Sequence, residues 1–226
     1  MAKRATPEPQ SPPRRVFIVE DHPVFRQGLT QMVNGEQDLS VCGQAGDAET
    51  ALPAINRLKP DVVLIDITLP GKSGLELIKQ VRAADRKVKL LVVSMHDEAL
   101  YANRVLRAGG DGYIMKQEAP EEIVHAVRDV LDGHIYVSEA VMGAGTGPPE
   151  SNGKRKARKL DQLSDTELEL LEAVGRGKSR EEIARELGIG ARTVSGRCTQ
   201  IRKRLRLKTA DELIRYAIRW VETGAT

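Results

Sequence analysis

The chain is poor in aromatic residues: Phe, Tyr and Trp make up 3% of its 226 positions. Any core it builds is therefore aliphatic. Cysteine is nearly absent, and Cys42 and Cys198 lie too far apart in sequence for a metal or redox motif. No apolar run exceeds four or five residues, as in Val62-Val63-Leu64-Ile65, which predicts no membrane span. The basic N-terminus runs into prolines where a secretory signal would need an apolar stretch. These absences predict a reduced, cytoplasmic protein. What is present, 40% hydrophobic residues, suffices for one large domain or two small ones.

Charge is unevenly spread. The net +3 divides into +3 over residues 1–15, −5 over 16–137, −2 over 138–153 and +7 over 154–226. An acidic front and a basic back predict two domains with different partners, the back one's polyanionic. Opposite charges also suggest that the front domain covers part of the back one. The boundaries follow composition: a proline-rich flexible tail at 1–14, a first domain at 15–137, a small, polar and basic linker at 138–159, and a second domain at 160–226. The linker's GAGTG has no strand before it and no helix pattern after it, so it is not read as a phosphate loop.

In the first domain short aliphatic runs at 16–19, 39–45, 62–65, 90–93 and 112–115 alternate with helix-length segments at about 23–34, 47–57, 74–84, 97–108 and 119–131. Continuous apolar strands between helices predict a parallel sheet covered on both faces, a doubly wound, flavodoxin-like α/β fold. With strand order 2-1-3-4-5, ligand chemistry collects at the carboxyl ends of the strands. Glu20 and Asp21 end the first strand, Asp66 the third, Ser94 the fourth and Lys116 the fifth. Any one acidic residue after a buried strand is unremarkable; five complementary residues at these ends are not. Three carboxylates together repel one another and call for a cation, and an all-oxygen site suits Mg²⁺. Lys116 can neutralise an anion, Ser94 can donate to it, and Asp66, on a central strand, is the best nucleophile.

Residues 16–137 resemble the receiver domain of two-component response regulators. The matching stretches are VFIVEDHP, DVVLIDITLPGKSGLELI, LLVVSMHDE and GGDGYIMK, with Tyr113 at the position of the family's switch aromatic. The resemblance implies phosphotransfer from a sensor histidine kinase to Asp66. It also implies Mg²⁺ held by Asp21, Asp66 and the Thr68 backbone with Glu20 assisting, and repositioning of Ser94 and Tyr113 toward the phosphoryl group. Thr68 and His96 stand where the family tunes phosphoryl lifetime. Gln117 replaces the proline that often follows the lysine, so a cis bond there is not assured. His22 and His125 are read as structural or surface groups.

Residues 160–222 read as four helices, with capping boxes at Ser164/Glu167, Ser179/Glu182 and Thr209/Glu212, and Gly190 before the third helix. In that third helix Val194, Cys198, Ile201 and Leu205 form a core stripe. Its other positions carry Arg192, Arg197, Arg202, Lys203, Arg204 and Arg206 with no acidic residue, the footprint of a polyanion-binding helix. LSDTELELLEAVGRGKSREEIARELGIGARTVS and KTADELIRYAIRW resemble the LuxR-type helix-turn-helix of the NarL/FixJ response regulators. The resemblance implies that the third helix enters the DNA major groove, with Ser195, Gly196 and Thr199 facing base edges. Arg192, Arg197, Lys203 and Arg204 are read as phosphate contacts. The fourth helix is expected at a dimer contact through Leu213, Ala217 and Trp220, which could equally be internal core.

The sequence thus reads as a phosphorylation-switched, homodimeric DNA-binding transcription regulator and not an enzyme. Alternatives are a DNA-binding regulator in which Asp66 is silent and a signalling adaptor whose helical domain binds protein. A phosphatase is more distant, since Thr68 stands where its acid/base carboxylate would be needed.

Overall fold

A computed structural model describes residues 12–138, 141, 160 and 162–223. Most of the proline-rich tail and of the linker, GAGTG included, lies outside them. Five strands, β1 (Arg14–Val19), β2 (Leu39–Ala45), β3 (Val62–Ile65), β4 (Lys89–Ser94) and β5 (Gly112–Met115), alternate with α1 (Pro23–Asn34), α2 (Ala48–Leu58), α3 (Gly74–Ala84), α4 (Glu98–Ala108) and α5 (Pro120–Leu131). All pairings are parallel and the order is β2-β1-β3-β4-β5, as the sequence predicts. Every residue of β3 is buried, which requires helices on both sheet faces. Phe17, Val63, Ile65 and Val92 pack on α2, α3 and α4, while their strand neighbours Ile18, Val62, Leu64 and Val93 pack on α1 and α5. Asp47, Ser73 and Asp97 cap α2, α3 and α4 through side-chain oxygens, and α1 and α5 open on proline.

Beyond the sheet domain lie four more helices: α6 (Asp165–Gly175), α7 (Arg180–Glu186), α8 (Ala191–Arg204) and α9 (Ala210–Thr223). The capping boxes at α6 and α7 close in both directions. At α9 the Thr209 hydroxyl accepts from the Glu212 N–H, but the Glu212 carboxylate takes the N–H of Lys208 instead of that of Thr209. The α7–α8 turn passes through Gly188 at φ +60°, a left-handed conformation suited to glycine. Among the described residues no helix is long and apolar enough to cross a membrane.

The two domains dock through α6, which lies against α3 and α4 and joins the apolar layer beneath them. Asp165 at its start pairs with Lys79 of α3 and Arg104 of α4, each at 3.0 Å. Arg104 also donates to the carbonyls of Leu163 and Leu160, at 3.0 and 2.7 Å. The receiver does cover part of the basic domain, and the element it covers most is α6. It is the most acidic helix of the basic domain, carrying Asp165, Glu167, Glu169 and Glu172, whereas Arg192, Gly196, Thr199 and Lys203 of α8 stay exposed. Local pairs fasten this contact.

Candidate functional site

The carboxyl ends of the strands bring the predicted residues together. Glu20, Asp66 and Ser94 are buried, at 1, 5 and 0% exposure, because each directly follows or ends a strand of the core. Lys116 places its ammonium 2.8 Å from Asp66 Oδ2 and 2.6 Å from Glu20 Oε2, and 4.7 Å above the Phe25 ring. Burial raises the pKa of Glu20, and the Asp66 charge adds to the rise. Burial works against the charge on Lys116, but Asp66 and Glu20 outweigh it and its pKa is raised. Asp21 is half-buried beside them, its Oδ1 2.9 Å from His22 Nδ1. Glu20, Asp21 and His22 converge closely enough to share an ion. One ammonium does not balance three carboxylates, so the site favours a cation, and its oxygen donors fit a hard one such as Mg²⁺.

Around this pocket the loops are tightly specified. A Cβ on Gly74 would strike the Asp66 carbonyl, so glycine lets α3 begin directly beneath the carboxylate. The Thr68 N–H approaches Asp66 Oδ1 at 3.4 Å, and the Thr68 hydroxyl lies 2.6 Å from His96 Nε2. The His96 N–H donates to Ser94 Oγ at 3.3 Å, and the buried Tyr113 hydroxyl donates to the His96 carbonyl at 2.7 Å. Burial holds the Tyr113 pKa far above its ordinary value. No cis peptide bond occurs among the described residues, so Lys116–Gln117 is trans.

The candidate nucleic-acid face lies on α8. Arg192, Gly196, Thr199 and Lys203 are exposed, and Ser195 and Arg197 partly so. The Ser195 and Thr199 hydroxyls donate to carbonyls one turn back, leaving their lone pairs outward. Nothing lies within 4 Å of where a Gly196 Cβ would be, so packing does not demand that glycine. Arg204, expected to be a phosphate contact, is engaged at 2.7 Å by Glu167 and at 3.0 Å by the Gln162 carbonyl, with its side chain still 48% exposed. Leu213, Ala217 and Trp220, expected at a dimer contact, are 4, 0 and 7% exposed in the chain's own core. They have almost no surface to offer a second copy as the domains are arranged here. The α9 positions that are exposed include Ile214 and Arg215.

Residues 16–128 match the model of the response regulator receiver domain, and residues 161–217 that of the luxR family of bacterial regulatory proteins. The chain is a response regulator. It is 32% identical over 210 residues to the oxygen regulatory protein NreC of Staphylococcus aureus, covering 91% of this chain and 97% of that protein. The signal receiver domain of the putative response regulator NarL from Mycobacterium tuberculosis is 33% identical, with a TM-score of 0.53, and covers 55% of this chain and 100% of that one. RcsB from Salmonella enterica serovar Typhimurium, solved bound to promoter rprA in the presence of the phosphomimetic BeF3⁻, shares the fold. Its TM-score is 0.63 at 22% identity over 91% of this chain and 98% of that one. The family is one of regulators and not of classical enzymes.

In this response regulator the pocket has walls that sequence reasoning missed. A cleft of about 320 Å³ over Asp66 is lined by Asp21, Thr68, Ser94 and Lys116, and from the other domain by Glu169, Glu172, Arg176 and Lys178. His96 Nδ1 lies 2.6 Å from Glu172 Oε2, and Arg176 holds Glu172 Oε1 at 2.7 Å. Burial opposes ionisation of Glu172, but His96 and Arg176 outweigh it and lower its pKa. Glu169 has no direct ion pair among the described residues: burial pushes its pKa up to about 7 against the opposing effects of a Ser73 hydrogen bond and the His96 charge, and its Oε1 has no hydrogen-bond partner. The signal was the interleaving of Glu167, Glu169 and Glu172 with leucines in a helix that has no exposed residue from 167 to 173. A one-sided surface helix would have segregated them.

Proposed function

We propose that Asp66 accepts a phosphoryl group from a sensor histidine kinase and that this switches DNA binding and dimerisation of the C-terminal domain. The observation that carries the reading is the buried Asp66 at the end of the central strand with Lys116 at 2.8 Å. In the transfer, an Asp66 oxygen attacks phosphorus. The phosphorus–nitrogen bond of the donor breaks, and the departing imidazole nitrogen keeps the electron pair and takes up a proton. Lys116 supplies positive charge beside the new phosphoryl oxygens, and the Ser94 hydroxyl donates to one of them. Asp21, Asp66 and the Thr68 backbone, with Glu20 assisting, would hold Mg²⁺, which when bound neutralises phosphoryl charge. Tyr113, packed beside Ser94, follows that hydroxyl. The chemistry on Asp66 is at most self-catalysed acceptance and hydrolysis.

On this reading the receiver spans 15–137, the linker 138–159 and the DNA-binding domain 160–226, and the protein acts as a cytoplasmic homodimer on double-stranded DNA. Arg192, Arg197 and Lys203 take phosphates, and Ser195, Gly196 and Thr199 face bases. Arg204 joins the phosphate contacts only where DNA displaces its pairing with Glu167. Leu213, Ala217 and Trp220 serve dimerisation only if the domains rearrange.

Binding to a genomic fragment library, with and without a small phosphodonor plus Mg²⁺, tests the proposal alongside Asp66→Asn. The expected result is selective binding that strengthens with donor in the parent and not in the variant. Equal selective binding in all lanes makes Asp66 silent, and no selective binding favours a protein-binding adaptor.

A further inference from the structure

The cleft over Asp66 is spanned along one side by one side chain from each of three places. Thr68 stands on the loop after β3, His96 on the loop after β4, and Glu172 on α6 of the DNA-binding domain. The chain of contacts from Thr68 Oγ1 through His96 to Glu172 Oε2 has both links at 2.6 Å, and Arg176 anchors its far end at 2.7 Å. The His96 ring also lies against Tyr101, with centroids 4.7 Å apart, and the Tyr101 hydroxyl reaches Glu172 Oε2 at 3.4 Å. His96 is therefore fixed on all sides, in a position spanning the two loops that flank Asp66. Facing a carboxylate, Nδ1 carries its proton and donates to Glu172, which sets the ring orientation presented to Thr68.

We infer that Glu172, a residue of the DNA-binding domain, is a positioning residue of the phosphoacceptor site: acting through His96, it narrows the approach of phosphoryl donors and water to Asp66. The inference rests on Asp66 being the phosphoacceptor. It makes the output domain a regulator of receiver chemistry as well as its target. With Glu172 withdrawn, His96 loses the contact that aligns it, and both reactions at phosphorus gain access. In acceptance, an Asp66 oxygen bonds to phosphorus as the donor's phosphorus–nitrogen bond breaks, and the nitrogen keeps the electron pair and departs protonated, as ammonia when the donor is phosphoramidate. In hydrolysis, water bonds to phosphorus as the Asp66 oxygen–phosphorus bond breaks, returning the carboxylate and inorganic phosphate.

The test uses the full chain with phosphoramidate and Mg²⁺, measuring the initial rate of Asp66 phosphorylation and the rate of hydrolysis after donor removal. Glu172→Ala is expected to raise both rates roughly tenfold, which corresponds to about 1.4 kcal/mol. Glu172→Gln, whose amide oxygen still accepts from Nδ1, should stay within about threefold of the parent. In a His96→Ala background, removing Glu172 should change nothing further. Parental rates in Glu172→Ala overturn the inference. So does an acceleration that persists without His96, since that would be general loosening of the domain contact. If Glu172→Ala does not fold, His96→Ala alone must show the acceleration, and its failure to do so overturns the inference too. A parent that takes up no phosphoryl group on Asp66 overturns the function reading itself, a result distinct from all of these.

Discussion

A side chain at position 74 would collide with the backbone of Asp66, whereas at position 196 it would meet nothing within 4 Å. The fold requires the first glycine, and packing does not require the second. Gly74→Ala should cost about 1–3 kcal/mol by overpacking and lower phosphoryl incorporation, read by urea unfolding and by labelling of Asp66. Gly196→Ala should stabilise α8 by roughly 0.5–1 kcal/mol while weakening DNA binding. A variant that is more stable and binds DNA as well as the parent would remove the case for close backbone approach there. The residues at the strand ends were legible in sequence because a parallel sheet converts strand endings into neighbours. Glu20, Asp21, Asp66, Ser94 and Lys116 needed only the strand order. Glu169 and Glu172 were not legible, since their receiver partners lie on other elements and their burial exists only once the domains dock. The pairing of Arg204 was hidden for a related reason. Its partner Glu167 was assigned to a capping box, and one carboxylate serves both.

At the scale of elements, α6 is sandwiched between its own domain and the receiver. Arg104 is the main polar fastening, with three acceptors across the boundary and a side chain only 12% exposed. Arg104→Ala should weaken docking by roughly 1–3 kcal/mol and raise amide hydrogen exchange over 165–175, leaving the unfolding of each domain unchanged. Glu169 adds a pH dependence. Its pKa in the docked protein is raised to about 7 from the ordinary 4.5, by burial first. A raised carboxyl favours the docked form in full below 4.5, and this contribution fades as pH rises through about 7. The lowered pKa of Glu172 acts oppositely and only at the acid end, where its contribution is lost as pH falls below 4.5. Between pH 5 and 8 docking, followed by hydrogen exchange, should therefore weaken with rising pH, and Glu169→Gln should flatten that part of the profile.

For the whole molecule, the sheet order and the presence of both domains were readable because periodicity and strand endings are local signals. The docking geometry was not, because total charge averages over faces that never meet. The same total matters for DNA. The +7 over residues 154–226 predicts affinity that falls steeply with salt. Lys203→Ala, at an exposed and unfastened cation, should reduce the slope of log affinity against log salt by about 0.9. Arg204→Ala should change the slope less and destabilise the fold more, since Arg204 is held by Glu167.

The acidic residues on the docked face of α6 would also govern how the two halves behave if they part. A dry helix face made of leucine alone would, once uncovered, be an adhesive patch inviting aggregation. Glu169 and Glu172 would rehydrate favourably on exposure, so an opened contact would leave a water-compatible face on the released domain.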